Sequence, residues 1–307
     1  MNDVNDMDDM CEDDEPREIV TVWPDFAADF VCKADRCQHS CCRGWEIDID
    51  KETAARYQSL EGPMGELLRQ NMLTRGETSC FRMDEAGKCP FLQTDGLCQI
   101  IHETGEENLC VICTMHPRFF TYVGNYELAG TGLSCEKTVE LLLKADDPLR
   151  FGQLQPDGQA AGPFWDLPVL LKRLGLPVPV AELQYEAAFT RDDVQFVLDC
   201  LARTEPIDEA WQQLLTETES GLPGFIESFP AARIDSGRFN RIFHYILYRQ
   251  LEQAAAVGLT QVLSVACLNT DFIVLASLAI GDLHESLRRW SEQIEYDTDN
   301  VARLYSL

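Results

Sequence analysis

The feature that most constrains the fold of this chain is the crowding of cysteines between Cys32 and Cys135. Ten of the thirteen cysteines in the 307 residues lie in that stretch. The densest parts are residues 37–42, Cys-Pro-Phe-Leu at 89–92 and Cys-Val-Ile-Cys at 110–113. Thiolates gathered so closely predict a metal or iron–sulfur centre. Residues 80–118 are punctuated by glycine and proline and have a poor core of their own, so a bound metal would supply the missing cross-links.

The acidic start of the chain favours reduced thiols over disulfides. The first eighteen residues hold nine acidic side chains and a single base, Arg17, which is the opposite of a signal peptide. Residues 1–18 therefore predict a disordered acidic tail. We expect a cytoplasmic protein, in which thiols stay reduced, and the odd number of cysteines also argues against full pairing.

The net charge restricts the partners. The chain has 25 basic and 52 acidic residues, a formal charge of −27. Such a surface repels phosphate backbones and anionic lipid, so we expect no nucleic-acid or membrane partner, whereas a lysine-bearing protein is compatible. Residues 260–280 are long and apolar enough to span a bilayer. Because Asn269, Thr270 and Asp271 lie at their centre, we predict a buried core helix instead.

The hydrophobic pattern predicts a mainly α fold with four segments. These are the tail at 1–18, a cysteine-rich cluster-binding module at 19–148, a linker at 149–166 and a helical domain at 167–307. The module is loop-rich, and Val123-Gly124-Asn125 predicts a short β-hairpin within it. The linker is predicted from its prolines and glycines, and the helical half from apolar residues at helical spacing.

Three helix starts stand out in the module. Asp50 predicts the cap of one helix, and Pro63 the first turn of the next. Ser134 predicts the cap of a helix that ends near Lys144. Cys135 would then lie in its first turn, where the helix dipole favours a thiolate.

The spacing of the cysteines leaves the type of metal open. Structural zinc commonly uses two Cys-x-x-Cys pairs, and only Cys110 and Cys113 have that spacing. The irregular spacing and the number of thiols favour an iron–sulfur cluster, with zinc as the alternative. Adjacent Cys41 and Cys42 diverge, so only one of them is expected to bind a given centre. Gly44 stands where the radical S-adenosylmethionine pattern requires a cysteine, so that mechanism is not predicted.

Two residues near the cysteines are candidates for holding a cofactor. Trp45 has a flat face on which a ligand can stack, although core packing is the alternative. Arg118 can offset thiolate charge or clamp a carboxylate, with a surface ion pair as the alternative. Gly130-Thr-Gly132 lacks the third glycine of a dinucleotide-binding loop. Cys11, Cys200 and Cys267 are predicted to be incidental thiols.

Five sequence blocks follow one another in a recognisable order. They are Cys37-x3-Cys41-Cys42-x-Gly44-Trp45, Cys89-Pro-Phe-Leu, Gly96-Leu-Cys98-x-Ile, Cys113-x2-His-Pro-Arg118 and Leu133-Ser-Cys135. This order resembles the flagellin lysine N-methylase family, within a wider group of cysteine-rich zinc- or iron-chelating proteins. The long aromatic helix with Arg249 and the closing Trp290-Ser-Glu-Gln-Ile-Glu-Tyr are similar to the family's tail.

The resemblance implies transfer of a methyl group from S-adenosylmethionine to lysine side chains of flagellin. It also implies a [4Fe-4S] cluster, with candidate ligands Cys37, Cys41, Cys42, Cys89, Cys98, Cys113 and Cys135. Within that set we prefer Cys41, Cys89, Cys98 and Cys113, and give less weight to Cys32, Cys80 and Cys110. No residue is predicted as the catalytic base. The alternative function is a non-enzymatic zinc- or iron-binding protein.

Overall fold

A five-stranded mixed sheet has the N-terminal strand at its centre. The computed structural model describes residues 18–76, 78–155, 160–187, 189–221 and 236–307, so residues 1–17 of the predicted acidic tail lie outside the described chain. The strand order is β5-β6-β1-β7-β8. The bounds are Val20–Pro24 for β1, Arg118–Val123 for β5, Tyr126–Thr131 for β6, Phe151–Leu154 for β7 and Ala160–Trp165 for β8. Strand β1 is parallel to β6 and antiparallel to β7.

The predicted hairpin is confirmed. Strands β5 and β6 are antiparallel from Arg118 opposite Thr131 to Val123 opposite Tyr126. Gly124 in the connecting turn has a φ of 60°, a conformation that glycine adopts without strain. The turn therefore follows directly from local sequence.

The stretch predicted as a linker is instead part of the sheet. Strand β7 pairs with β1, and β8 pairs with β7 through Phe151 opposite Trp165. Leu149, Phe151 and Trp165 are buried in the core. The Gly162-Pro163 pair is tolerated because β8 lies at the sheet edge, where a missing N–H is not needed.

The cysteine-rich part of the chain has a smaller sheet and four short helices. The strands are β2 (Asp48–Ile49), β3 (Met72–Arg75) and β4 (Thr78–Phe81), in the order β2-β4-β3. The helices are α1 (Lys51–Ser59), α2 (Gly62–Asn71), α3 (Gln99–Thr104) and α4 (Val111–Met115). As predicted, the Asp50 side chain caps α1 by accepting from Thr53 N, and Pro63 lies in the first turn of α2.

The smaller sheet and helices enclose a hydrophobic core of their own, built from residues 47–113. Tyr57, Leu68, Phe81 and Phe91 are its largest members. The Phe81 and Phe91 rings meet edge to face with centroids 4.9 Å apart, and Tyr57 stacks on Phe81 at 6.1 Å. Cys89 and Cys110 are buried in this core, so two thiols are structural members of it.

Helices cover the larger sheet, which confirms the helical C-terminal half. Their bounds are Glu136–Leu142 for α5, Leu167–Arg173 for α6, Arg191–Leu201 for α7, Glu209–Gly221 for α8, Ser236–Arg249 for α9, Ala254–Val257 for α10, Leu259–Ile280 for α11, Leu283–Trp290 for α12 and Thr298–Tyr305 for α13. A π-helical turn, Ser291–Glu295, joins α12 to the last helix. The larger core contains residues of β1, β5, β6 and α5 together with the C-terminal helices, so it does not follow a boundary at residue 148.

Helix α11 is the core helix that the sequence predicted. It packs against α8, α9 and α12, and among the described residues it is the one helix long and apolar enough to cross a membrane. Its central polar residues are satisfied internally. Trp290 Nε1 donates to Asn269 Oδ1 at 2.7 Å, and Tyr185 Oη donates to Asp271 Oδ1 at 2.7 Å.

Candidate metal centre and adjoining aromatic junction

Five cysteines surround one end of the smaller core. Cys89 and Cys110 are buried in it, and Cys42, Cys98 and Cys113 are half-buried and pack against it. We call these five the inner thiol group: Cys42, Cys89, Cys98, Cys110 and Cys113. Four come from blocks that carried the family resemblance, and Cys110 comes from the pair with Cys-x-x-Cys spacing.

Backbone hydrogen bonds hold the loops of the inner thiol group in place. Cys89 N donates to Cys42 O at 2.9 Å, and Gly44 N donates to Gly87 O at 2.9 Å. A β-bridge between Leu92 and Cys98 closes the second loop. Residues far apart in sequence are therefore positioned by backbone contacts, without relying on the thiols themselves.

Helix α1 fixes the segment that carries Cys110. Tyr57 Oη donates to Asn108 O at 2.6 Å, and Arg56 Nη2 donates to Leu109 O at 3.2 Å. Asp50 accepts from Val111 N at 2.9 Å as well as from Thr53 N. Burial opposes the charge on Asp50, but these backbone donors hold the pKa of its carboxyl below its usual value. Asp50 is thus a structural cap for two elements.

The inner thiols influence one another strongly. Burial raises the pKa of Cys89 to about 12, and the nearby Cys42, Cys98 and Cys110 thiols add to that shift. The Cys110 and Cys113 Sγ atoms are 3.4 Å apart in a hydrogen bond that lowers the pKa of Cys110 and raises that of Cys113. A hydrogen bond from Cys41 lowers the pKa of Cys42 to about 7. Hydrogen bonding to a neighbouring thiol thus favours the thiolate form of Cys42, as it does for Cys110.

Four other cysteines are close enough for their charges to affect one another. We call them the outer thiol group: Cys32, Cys37, Cys41 and Cys135. Cys32 and Cys41 are exposed, and Cys37 and Cys135 are half-buried. Burial raises the pKa of Cys37 to about 11, and Glu136, Cys135 and Cys32 add to that shift. The hydrogen bond with Cys42 raises the pKa of Cys41, with further contributions from Cys32 and Cys135.

The neighbouring Cys41 and Cys42 thiols are hydrogen-bonded to each other, so the predicted divergence of these two side chains is not seen. The structure places Cys42, rather than Cys41 of the preferred four, beside Cys89, Cys98 and Cys113. Cys37 and Cys135, two further predicted ligands, lie in the outer group. Cys110, given less weight from sequence, is a full member of the inner group, and its spacing from Cys113 was the signal that pointed to it.

The start of α5 differs from its prediction. Cys135, rather than Ser134, is the N-cap residue, and the helix ends at Leu142. Backbone N–H groups of Thr138 and Lys137 donate to the Cys135 thiol and favour its thiolate, but burial outweighs them and raises its pKa. The predicted dipole effect is therefore present and is overcome by desolvation.

The donor set of the inner group fits a thiolate-bound metal. Four thiolates are the complement for both structural zinc and a [4Fe-4S] cluster, and the inner group offers five. Among the described residues, no three His, Cys, Asp or Glu side chains already form a ligand shell. The thiols must therefore rotate toward one another for a metal to bind.

Beside the thiol groups, a buried carboxylate joins the cysteine-rich part to the helical half. Glu295, in the π-helical turn, is fully enclosed and pairs with Arg249 Nε at 3.2 Å. It also accepts from Tyr245 Oη at 2.6 Å, Leu133 N at 3.0 Å and Ser291 Oγ at 2.5 Å. The Leu133-Ser-Cys135 block and the chain's closing block are thereby tied to each other. π-turns of this kind occur frequently at functional sites.

An aromatic junction lies next to this carboxylate and is formed by Trp45, His116 and Tyr296. Trp45 meets Tyr296 edge to face, and His116 is tilted against Tyr296, with centroids 6.2 Å apart in both pairs. Tyr296 Oη donates to Pro117 O at 2.8 Å. Burial lowers the pKa of His116 to about 4, so its ring is neutral, and its buried Nε2 has no hydrogen-bond partner.

The glycines of Gly130-Thr-Gly132 make room for aromatic rings. A Cβ on Gly130 would lie 2.6 Å from Phe119 Cζ, and one on Gly132 would lie 2.0 Å from Tyr296 Oη. Close packing therefore explains why glycine occupies both positions. The sequence had already shown that this segment lacks the third glycine of a dinucleotide-binding loop. Arg118 lies on the other side of Pro117, with its guanidinium 5.5 Å from the Phe30 ring centroid.

Comparison with curated proteins finds two kinds of relative. The flagellar biosynthetic protein FliU of Salmonella muenchen is 26% identical over 143 residues, which cover 45% of this chain and 85% of that protein. Two proteins named lysine-N-methylase, from Salmonella choleraesuis and Salmonella typhimurium, are each 27% identical over 146 residues, 45% of this chain.

The extent of these matches differs between the relatives. The chain spans 36% of the length of each lysine-N-methylase. No protein-family model matches the chain, and no solved structure matches it. The names of the relatives confirm the resemblance to the flagellin lysine N-methylase family that the cysteine blocks predicted.

Proposed function

We propose that this chain carries out S-adenosylmethionine-dependent N-methylation of lysine side chains on flagellin, in a cytoplasmic setting. The observation that carries the proposal is the match to proteins named lysine-N-methylase, together with the family blocks around the inner thiol group. We further propose that this group binds a [4Fe-4S] cluster through Cys42, Cys89, Cys98 and Cys113, with Cys110 as the alternative fourth or fifth thiol. Such a cluster would cross-link the loops of the smaller core.

The aromatic junction is the proposed place for the methyl donor. S-adenosylmethionine, when bound, supplies a methyl group on a cationic sulfonium. The faces of Trp45 and Tyr296 attract such a cation, and the neutral His116 ring adds an imidazole whose Nε2 is free to bond a ligand. We therefore propose Trp45 as a residue that binds the methyl donor, as the sequence predicted. Arg118, which lies against Phe30 and Thr114, is the proposed clamp for a carboxylate.

The substrate side of the reaction follows from charge. A lysine must lose its proton before its amine attacks the methyl group, and the site must exclude water. The chain's net charge of −27 attracts a lysine-bearing protein surface over distance. We assign no catalytic base, because the buried carboxylate nearest the junction, Glu295, is held by Arg249 and three other donors.

The test uses the full chain, purified without oxygen and loaded with iron. Incubated with S-adenosylmethionine and flagellin, it is expected to add methyl groups to lysines, detected by peptide mass spectrometry. Trp45→Ala should weaken donor binding about twofold to thirtyfold in calorimetry, since a cation–π contact contributes about 0.5–2 kcal/mol. The matched control is Phe196→Ala, which removes an exposed aromatic ring on α7. Absence of donor binding in iron-loaded protein would refute the proposal.

A second candidate function is metal binding without methyl transfer. It is favoured by the limited match, since the chain spans only 36% of the lysine-N-methylases, and by the surplus of thiols. Stoichiometric zinc without iron in anaerobically prepared protein, together with no donor binding, would establish this alternative.

A further inference from the structure

The edge strand β5 presents aromatic rings on the face of the larger sheet that points away from the core. Phe119 and Thr121 are buried, and the Phe119 ring meets Tyr248 of α9 with centroids 6.3 Å apart. Because side chains alternate between the two faces of a strand, Phe120 and Tyr122 point the other way, and they are 43% and 55% exposed. The outer face of β5 is therefore aromatic and open to solvent.

A carboxylate lies beside these rings. Glu127 of β6 is opposite Tyr122 of β5 on one side and Thr21 of β1 on the other. Tyr122 Oη donates to Glu127 Oε1 at 2.7 Å, and Thr21 Oγ1 donates to Glu127 Oε2 at 2.9 Å. In the part of the chain that the structure describes, Glu127 pairs with no lysine or arginine. Two hydroxyls therefore fix the position of this half-buried carboxylate and supply no positive charge.

The next row of the same face places a small residue between two aromatic ones. Ala129 of β6 is opposite Phe120 of β5. On the other side Val22 is opposite Leu128, so the following residue of β1, Trp23, lies beside Ala129. Strands β5 and β1 are two strand spacings apart, about 9–10 Å. An ammonium group above Ala129 would lie about 5 Å from either strand, and cation–π attraction acts within about 6 Å of a ring centroid.

Neighbouring residues fix the two sides of this face. A Cβ on Gly152 would lie 3.2 Å from Trp23 Nε1 and 2.8 Å from Phe164 Cε1, so both rings lie over this glycine of β7. Trp23 Nε1 is buried without a hydrogen-bond partner. The basic side chain of β5, Arg118, is directed to the Phe30 ring, with its guanidinium 5.5 Å from the ring centroid. No cation of β5 therefore competes for Glu127.

We infer that this face binds the ammonium group of a lysine side chain on a protein partner, through Trp23, Phe120, Tyr122 and Glu127. The ring faces attract the cation, and the carboxylate supplies the opposite charge. The net charge of −27 favours a basic partner and disfavours a second copy of this chain. These residues differ from those of the aromatic junction, so the lysine bound here is a docking contact and not the lysine that receives the methyl group.

The inference rests on the proposed function for the class of its partner, a lysine-bearing protein, and adds a second contact with that partner. Its measurements are made without methyl donor. Loss of donor binding would refute the proposed function and leave this site intact, whereas loss of lysine binding at this face would leave the proposed donor site intact.

The first experiment follows the backbone amide signals of the unaltered full chain by NMR while a peptide is added. The probe is acetyl-Gly-Lys-Gly-amide, and the control peptide has norleucine in place of lysine, which keeps the alkyl stem and lacks the charge. The lysine peptide should shift the signals of residues 21–23, 120–122 and 127–129, and the norleucine peptide should leave them unchanged. Absence of these shifts, or equal shifts with both peptides, would overturn the inference.

The second experiment measures the affinity of variants for the lysine peptide. Phe120→Ala should weaken binding about twofold to fivefold, the effect of one exposed cation–π contact. Glu127→Gln keeps an acceptor oxygen and removes the charge, so binding should weaken and depend less on salt. The matched control is Phe196→Ala, which removes an exposed ring on α7 and should leave the affinity unchanged. If Phe120→Ala and Glu127→Gln bind the peptide as tightly as the unaltered chain, the site does not exist.

Discussion

Replacing Glu295 with glutamine tests how the two halves of the chain are joined. In the native site Oε1 accepts from Tyr245 and Arg249, and Oε2 accepts from Leu133 N and Ser291. A glutamine keeps one oxygen and replaces the other with an NH2 donor. The tyrosine and serine hydroxyls can turn to accept from that NH2 group, but neither Leu133 N–H nor Arg249 can do so. One N–H donor is therefore left without an acceptor in either orientation of the amide.

The size of the effect follows from burial. A buried donor left without an acceptor costs about 1–3 kcal/mol. Removing one partner of a buried ion pair costs about 3–5 kcal/mol, and the Glu295 side chain is 0% exposed while that of Arg249 is 15% exposed. These contributions overlap, so we expect Glu295→Gln to lower the free energy of unfolding by about 3–5 kcal/mol in total.

Urea unfolding measures this loss. Trp211 and Trp290 are fully buried in the larger core, so tryptophan fluorescence follows its unfolding. With a urea slope of about 3 kcal/mol per molar, the midpoint should fall by about 1 M or more. Glu205→Gln is the matched control, because Glu205 pairs with Arg303 at 2.9 Å but its side chain is 74% exposed. That change should cost at most about 1 kcal/mol. Equal midpoint shifts in the two variants would refute the reasoning.

Three further predictions concern other parts of the chain. Burial raises the pKa of Asp271 to about 6, so the folded state binds its proton more tightly than the unfolded chain and stability falls as pH rises from about 4 to 6. Asp271→Asn should therefore add about 3 kcal/mol to the free energy of unfolding near pH 7.5 and little near pH 4. Urea unfolding at the two pH values measures this difference, and equal gains at both would contradict the prediction. Gly132→Ala should displace Tyr296, lower the free energy of unfolding by about 1–3 kcal/mol and weaken donor binding. An unchanged donor affinity in calorimetry and an unchanged melting temperature would show instead that the Tyr296 ring moves freely. Cys89→Ser should lose iron and reduce hydrogen-exchange protection across residues 47–113, whereas Cys200→Ser should change neither metal content nor that protection.

Local signals in the sequence predicted local structure well. The Asp50 cap, the proline start of α2 and the Gly124 turn each depend on a few neighbouring residues, and the structure has all three. The apolar run of α11 predicted a core helix for the same reason. Strands β7 and β8 were missed because β7 pairs with β1, more than a hundred residues earlier in the chain, and β8 pairs in turn with β7. Considered without the pairing to β1, the prolines and glycines of this stretch indicated a linker.

The site could be predicted in composition but not in arrangement. Spacing identified the cysteine-rich stretch, whereas the hydrogen bond between the adjacent Cys41 and Cys42 thiols runs against the predicted divergence of their side chains. The hydrogen bond from Cys89 N to Cys42 O holds Cys42, rather than Cys41, beside Cys89. This contact joins distant loops, so the sequence alone did not reveal it. The role of Glu295 is likewise visible only when the end of the chain is placed beside Leu133.

The separation of the two cores has a consequence for the order in which the protein matures. The smaller core and the thiols that pack against it use residues 42–113, whereas the larger core joins β1 to helices that end at Tyr305. A ribosome releases the chain from its N-terminus, and contacts close in sequence form before distant ones. The inner thiols therefore emerge together well before Glu295 is synthesised. The smaller core can therefore form on the nascent chain before the last helices pack into the larger core.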